Sequence, residues 1–289
     1  MSAAVPAKND SALAQGRGEP RPVNASSPWV RRGVLGIVFV YVGGLILLPL
    51  AALVMGAFEQ GLGTALRSLA QPGVLEAFWR TLQISLLAVV VHTGFGTVVA
   101  WVFVRHRFPG RRILNALVDM PFAISPVVVG YMLLLLFGRN GPMAPVLAAL
   151  DIKVAFAMPG MVLATLFVTL PFIIRELAPI LENFGVQQEQ AAATLGASSW
   201  QIFWRVTLPA LRWGFIYGIT LTFARALGEF GAVLVVGGGI QGRTETATLF
   251  IYRALDEREY VGAYSAALLL GLFSLVLVWG TDRLRKREA

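Results

Sequence analysis

An all-α membrane protein with six transmembrane helices is predicted from three observations. The 289-residue chain is 56% apolar and only 14% charged, with a mean hydropathy of +0.70, which is too apolar for an ordinary soluble domain. Six apolar runs are long enough to cross a bilayer, which takes about 20 residues. A polar, amphipathic segment of about residues 182–210 separates the fourth run from the fifth.

The six runs differ in how cleanly they are bounded. The fifth contains Arg212, Arg225 and Glu229, and in the third Pro121 and Pro126 interrupt the helix and free backbone carbonyls, as either a gate hinge or a packed kink. The runs are Gly33–Phe58, Thr81–Val104, Met120–Gly138, Val154–Ile174, Leu211–Gly242 and Tyr260–Thr281. They predict one transmembrane domain over residues 29–282.

The distribution of Lys and Arg predicts the orientation of the chain. With the N-terminus in the cytoplasm, inside segments hold fifteen of these residues and outside segments seven, namely Arg67, Arg80, Arg139, Lys153, Arg243, Arg253 and Arg258. Inside segments of membrane proteins carry the excess of positive charge. Both termini and the polar segment are therefore expected in the cytoplasm. Residues 1–28, rich in Ala, Pro, Ser and Gly, predict a disordered tail, and residues 283–289 a basic one.

Several functional classes are disfavoured by composition. The chain has no cysteine and only two histidines, His92 and His106, so neither thiolate nor histidine metal sites are expected. It has no GxxxxGK[ST] motif, so ATP chemistry has to come from a partner. We therefore expect no catalytic residues and no bound cofactor. We also expect no nucleic-acid partner, because the cations lie at the ends of the apolar runs and not on one face.

The polar segment suggests two short helices. Gln190, Ala191 and Ala192 open a run of helix formers that Gly196 interrupts, and an apolar helical pattern resumes at Trp200 and ends before Pro209. Glycine adopts backbone angles that a sharp turn needs. From these residues alone, two interpretations remain: an amphipathic helix lying on the membrane surface, or a docking site for another protein.

The spacing of these residues resembles the cytoplasmic signature of ABC importer permeases, EAA-x3-G-x9-I-x-LP. The matching positions are Gln190-Ala191-Ala192, Gly196, and Val206-Thr207-Leu208-Pro209. In that family the segment forms a coupling helix, which docks into a groove of the ATPase subunit. Gln190 stands where the family usually has Glu, and the neighbouring Glu189 is expected to supply the charge. The predicted coupling residues are Glu189, Gln190, Ala191, Ala192, Gly196, Val206, Leu208 and Pro209.

Further blocks resemble the oxyanion branch of these permeases, which handles sulfate, thiosulfate and molybdate. They are Phe108–Gly130, Gly138–Pro142, Phe167–Leu177 and Phe223–Val236. The similarity is strongest to CysW-type sulfate permease subunits in the DMPFAISPVVVG block together with GRNGP, and in the GRTETATLFIY and DEREYVGAYSAA stretches. The resemblance implies a sulfate/thiosulfate importer of the bacterial inner membrane, with molybdate or tungstate as the alternative substrate. A secondary anion transporter is a weaker alternative, since it leaves the signature unexplained and no internal repeat is apparent.

The resemblance also implies a set of partners. Two ATP-binding subunits would carry ATP and Mg²⁺, a second homologous permease subunit would complete a heterodimer in membrane lipid, and an extracytoplasmic binding protein would deliver the anion. Arg225 and Glu229 lie one helical turn apart inside the fifth run. They form either an intramembrane ion pair that fixes packing or part of the translocation path.

Overall fold

The computed structural model describes residues 28–288, and all regular elements among them are helical. In chain order they are α1 (Pro28–Phe58), α2 (Leu62–Leu69), α3 (Pro72–Arg105), α4 (Arg111–Ala123), α5 (Pro126–Phe137), α6 (Ala144–Ala149), α7 (Met158–Phe184), α8 (Gln187–Thr194), α9 (Ser199–Ile202), a π-helical turn (Phe203–Thr207), α10 (Leu208–Leu227), α11 (Gly231–Gly237), α12 (Ala247–Asp256) and α13 (Tyr260–Glu288). A disordered tail was predicted for residues 1–28, and residues 1–27 of it lie outside the described residues. The chain divides into two compact units, one ending at Ala51 and one beginning at Ala52; the second contains the sites described below.

The described helices confirm the all-α membrane fold. Four stretches are each long and apolar enough to cross a membrane: Arg31–Phe58, Pro72–Arg105, Met158–Phe184 and Tyr260–Leu284. The predicted third and fifth spans are bent helix pairs, with a bend of 114° between α4 and α5 and of 54° between α10 and α11. The count is therefore four to six spans, and it is six if each bent pair crosses the membrane once.

The bend in the predicted third span lies immediately before Pro126. Ser125 has ψ of 135°, because the proline ring disfavours the helical conformation in the residue directly before it. Ile124, one residue earlier, is also extended, with ψ of 133°. Pro126 then starts α5, where a missing amide costs nothing. Pro121 lies inside α4, so Pro126 alone marks the interruption.

The second helices of the two bent pairs, α5 and α11, pack closely on each other. A Cβ atom on Gly130 of α5 would overlap Val235 and the backbone oxygen of Ala232 in α11. Gly231 at the start of α11 likewise lies against Val127. Small residues allow two helix backbones to approach in this way. The kink after α4 is therefore packed against the break after α10.

Helix α7 is the centre of the second unit and contacts both α3 and α10. A Cβ atom on Gly96 of α3 would overlap Ile173 of α7, and Gly214 of α10 permits a similarly close approach. A hydrogen bond also joins α3 to α7, since His92 Nε2 donates to the carbonyl oxygen of Leu166 over 2.9 Å.

The helices α3 and α7 run in the same direction, which defines the two ends of this unit. His92 lies beside Leu166, and further along both helices Arg105 donates to the carbonyl oxygen of Leu181. The polar segment follows α7 at this end. At the opposite end, the loop after α11 meets the start of α3, where the Ala247 amide donates to Thr81 Oγ1 over 2.8 Å.

Candidate functional site

The polar segment folds as α8, a tight turn at Gly196, and α9. Gly196 has φ of +85°, and its amide donates to the carbonyl of Ala193 while the Ala197 amide donates to the carbonyl of Ala192. This pair of hydrogen bonds is a Schellman motif, whose left-handed residue is usually glycine because it has no Cβ. The glycine of the signature is thus required by the backbone of the turn.

A capping box starts the second half of the segment. The Gln201 amide donates to Ser198 Oγ, and the Ser198 amide donates to Gln201 Oε1 over 2.9 Å. These reciprocal bonds satisfy amides that the first turn of a helix leaves free.

The helical pattern expected to end before Pro209 does not end there. Helix α9, the π-helical turn and α10 form one continuous run from Ser199 to Leu227, and Pro209 lies in the first turn of α10. In a regular α-helix the ring of Pro209 would collide with the carbonyl of Arg205. Arg205 lies in the wider π-helical turn, and such turns accommodate residues that a regular helix does not. The second half of the polar segment is therefore the beginning of the predicted fifth span.

Glu189 anchors the polar segment to the membrane helices. Its Oε1 accepts hydrogen bonds from Arg105 over 3.0 Å and from Thr207 Oγ1 over 2.9 Å. The side chains of Arg105 and Glu189 are only 9% and 16% exposed. Arg105 also donates to the carbonyl oxygen of Gly185 over 2.5 Å. One arginine at the end of α3 therefore binds the end of α7, α8 and, through Glu189, the π-helical turn.

The opposite face of the polar segment is exposed and partly apolar. Leu195, directly before the turn, is 88% exposed, and Trp200 is 70% exposed. Trp200 packs edge-on against Trp204 at a ring distance of 5.4 Å. Of the predicted coupling residues, Gln190, Ala191, Gly196 and Pro209 are exposed, and Glu189, Ala192, Val206 and Leu208 are partly buried.

The sequence predicted neither the exposed apolar surface at Leu195 and Trp200 nor the contact between Glu189 and Arg105. Trp200 belongs to the predicted apolar pattern, whose exposure the sequence does not show, and Leu195 lies outside that pattern. Arg105 contributes to the sequence analysis only as one of the fifteen inside cations. The charge expected from Glu189 is directed into the protein, toward Arg105 and Thr207.

Arg225 and Glu229 form an ion pair across the break between α10 and α11. Their nearest nitrogen and oxygen lie 2.8 Å apart, and the Glu229 side chain is 2% exposed. Glu229 Oε1 also accepts the amide of Ala232 over 3.0 Å, and its backbone oxygen accepts from Thr248. A carboxylate is favourable at the start of a helix and a cation at the end of one. The ion pair therefore links the end of α10 to the start of α11.

A third ion pair joins α7 to α4. Arg175 Nε and one terminal nitrogen donate to the two carboxylate oxygens of Asp119 over 2.7 and 2.6 Å, and the same terminal nitrogen donates to Asn115 Oδ1 over 2.9 Å. The Arg175 guanidinium is therefore held by α4, in the bidentate geometry that arginine and carboxylate favour.

Comparison with known proteins identifies the family of the chain. Residues 92–289 match the family model described as "Binding-protein-dependent transport system inner membrane component". The sulfate transport system permease protein CysW of Synechococcus elongatus is 46% identical, over 92% of this chain and 93% of its own length. The corresponding CysT protein of Escherichia coli is 39% identical, over 88% and 91%.

The fold is also shared with solved transporters. A subunit of a bacterial alginate ABC transporter, crystallised with its alginate-bound periplasmic protein, superimposes with a TM-score of 0.75 at 18% identity, over 90% of this chain and 94% of that one. This likeness shows the fold, while the matches in sequence show the descent. The chain therefore belongs to the family of inner membrane components of binding-protein-dependent transport systems.

Proposed function

We propose that this chain is a permease subunit of an ABC importer that takes up sulfate or thiosulfate. The observation that carries the proposal is the polar segment, which exposes Leu195 and Trp200 while Glu189 fixes it to the membrane helices. A surface that is apolar, exposed and rigid at once fits docking to another protein. The sulfate permease relatives, at 46% and 39% identity over most of their length, supply the substrate class.

The geometry suggests two routes by which a motion of the ATPase would reach the membrane helices. The first is direct, because the docking surface at Trp200 belongs to the same continuous helical run as α10. The second passes through Glu189 to Arg105 at the end of α3. ATP-driven closure of two ATPase subunits would then shift the permease between inward-facing and outward-facing states.

The proposal includes the remaining partners. Relatives of both the CysW and the CysT type match this chain, which supports a heterodimer of two homologous permease subunits with the translocation path between them. ATP and Mg²⁺ would be bound by the two ATPase subunits, and this chain would have no catalytic role. The polar segment and both termini would lie in the cytoplasm, and a solute-binding protein would act on the opposite side of the inner membrane.

Radiolabelled sulfate uptake tests this function. Cells that lack this subunit should lose sulfate uptake, and in the parent strain unlabelled thiosulfate should compete well and molybdate poorly. Unchanged sulfate uptake in the deletion strain would contradict the assignment to sulfate. Strong competition by molybdate would favour the alternative permease for molybdate or tungstate.

A paired variant tests the docking surface separately. Leu195→Asp places a charge on the surface expected to contact the ATPase, and it should reduce copurification of the ATPase subunit with the permease. Leu150→Asp is the matched control, because Leu150 is also exposed but lies between α6 and α7, away from the polar segment. Equal copurification of the ATPase with both variants would contradict the docking role.

A further inference from the structure

Three cations converge on one pocket at the end of the helical unit opposite the polar segment. Arg139 follows α5, Lys153 lies shortly before α7 and Arg243 follows α11, and together they line a pocket of about 820 Å³. The three side chains come from three separate connections between helices. This end would face the outside of the membrane under the proposed function. Cations are disfavoured there by the usual asymmetry of membrane proteins, so their convergence needs another reason.

The three cations have no partner of opposite charge. Within residues 28–288, none of their side chains takes part in an ion pair or a hydrogen bond, and the pocket is lined by no Asp or Glu. Two other cations at this end, Arg80 and Arg253, are neutralised by carboxylates. Arg80 pairs with Glu76, and the hydrogen bond to the carboxylate of Glu245 raises the pKa of Arg253. The pocket is thus a local concentration of uncompensated positive charge.

The loop that forms one wall of the pocket is fixed in place. Phe156 has φ of +56°, and its amide donates to the carbonyl of Val236 over 2.8 Å. Gly160 lies so close to the backbone oxygen of Val154 that a Cβ atom would overlap it. Because this wall is held by backbone contacts, the backbone beside Lys153 is ordered before a ligand arrives, which lowers the entropic cost of binding.

Size and surface character favour a protein ligand over a single ion. A sulfate ion occupies about the volume of two or three water molecules, roughly 60–90 Å³, whereas the pocket has about 820 Å³. One ion would leave most of this space empty. The pocket is also bordered by the exposed apolar side chains of Ile152, Phe156 and Ile240, and apolar surface rimmed by charge is typical of protein-binding sites.

We infer that this pocket docks an acidic segment of the extracytoplasmic solute-binding protein. Two or three carboxylates of that segment would pair with Arg139, Lys153 and Arg243, while its apolar side chains cover Ile152 and Phe156. The inference rests on the proposed function, which places this end outside and requires a binding protein. The cations would mainly accelerate encounter and set orientation, as complementary charges do at protein interfaces.

The test titrates a sulfate-loaded solute-binding protein that stimulates the unaltered transporter. The complete transporter is reconstituted in vesicles of neutral lipid, and the binding-protein concentration that half-maximally stimulates ATP hydrolysis is measured. The combined variant Arg139→Gln, Lys153→Gln and Arg243→Gln should raise this concentration about tenfold, as expected for the loss of three surface ion pairs of ordinary strength. The maximal rate should stay unchanged. Salt should weaken stimulation of the unaltered transporter and have less effect on the variant.

A matched control and the opposing results complete the test. Arg67→Gln removes an exposed cation from α2, outside the pocket, and should leave the half-maximal concentration unchanged. An unchanged value in the combined variant would overturn the inference. A combined variant in which only the dependence of ATP hydrolysis on sulfate changes would also overturn it, and would assign the pocket to the anion. An effect seen only in vesicles of anionic lipid would overturn it as well, and would assign the pocket to the membrane surface. Failure of any sulfate-loaded binding protein to stimulate the unaltered transporter would instead contradict the proposed function.

Discussion

Replacement of Glu189 by Gln should loosen the polar segment without unfolding the membrane helices. Glu189 accepts one hydrogen bond from the Arg105 guanidinium and one from the Thr207 hydroxyl, and both charged side chains are largely buried. A hydrogen bond to a charged group contributes about 1.5–3 kcal/mol. Arg105 retains backbone carbonyls of Leu181 and Gly185 as acceptors, so its charge is not left without any partner. We therefore expect a loss of about 2 kcal/mol in the free energy that holds the segment in place.

Hydrogen exchange measures this loss directly. A change of about 2 kcal/mol corresponds to roughly thirtyfold faster exchange of amides that open with the segment, so amides of α8 should exchange faster in Glu189→Gln while those in the middle of α7 do not. The amount of sulfate transported per ATP hydrolysed should fall with it. Glu182→Gln is the control, because Glu182 is an exposed carboxylate near the end of α7. Unchanged exchange in α8, or an equal change in the control, would refute the anchoring role of Glu189.

Three further substitutions test individual features of the fold. Gly196→Ala should cost about 1–2 kcal/mol through its left-handed backbone and lower sulfate transport per ATP, whereas Gly196→Asn, which tolerates that backbone better, should retain more; equal coupling in both would contradict the turn. Glu229→Ala should lower the melting temperature of the purified transporter, since it removes the partner of Arg225 and the acceptor of the Ala232 amide, a loss of about 1–3 kcal/mol. An unchanged melting temperature with lost uptake would assign Glu229 to the translocation path. Gly130→Ala should destabilise by about 1–3 kcal/mol through overlap with α11, whereas Gly94→Ala, with open space around it, should not; thermal unfolding of both distinguishes a packing defect from a general intolerance of alanine.

Local features of this protein could be predicted well from its sequence. The apolar runs indicate membrane helices because their length and lack of charge have no other common explanation. The Gly196 turn is likewise readable, since the left-handed residue of such a turn is most often glycine. The interruption of the third span was expected, although the structure places it before Pro126 only. The break after α10 contains no proline and was not predicted.

Features that depend on distant parts of the chain could not be predicted. Arg175 and Asp119 are 56 residues apart in sequence, and their contact exists only because α4 packs on α7. The direction of the Glu189 side chain depends in the same way on Arg105, which belongs to another helix. Pro209 misled the prediction because proline both ends helices and occupies their first turn. The choice between these depends on the π-helical turn before it.

The continuous helical run from Ser199 to Leu227 has a mechanical consequence. At 1.5 Å per residue it is about 43 Å long, so one rigid rod connects the exposed Trp200 with the joint formed by Arg225 and Glu229. A tilt of about 5° at the Trp200 end would displace the other end by roughly 4 Å over such a length. The Arg225–Glu229 ion pair connects α11 to the end of this run, and α11 packs on α5 at Gly130. The displacement would therefore move both bent helix pairs together. Under the proposed function, a small rotation of the docked ATPase subunit would thus produce a larger displacement at the opposite end of this helical run.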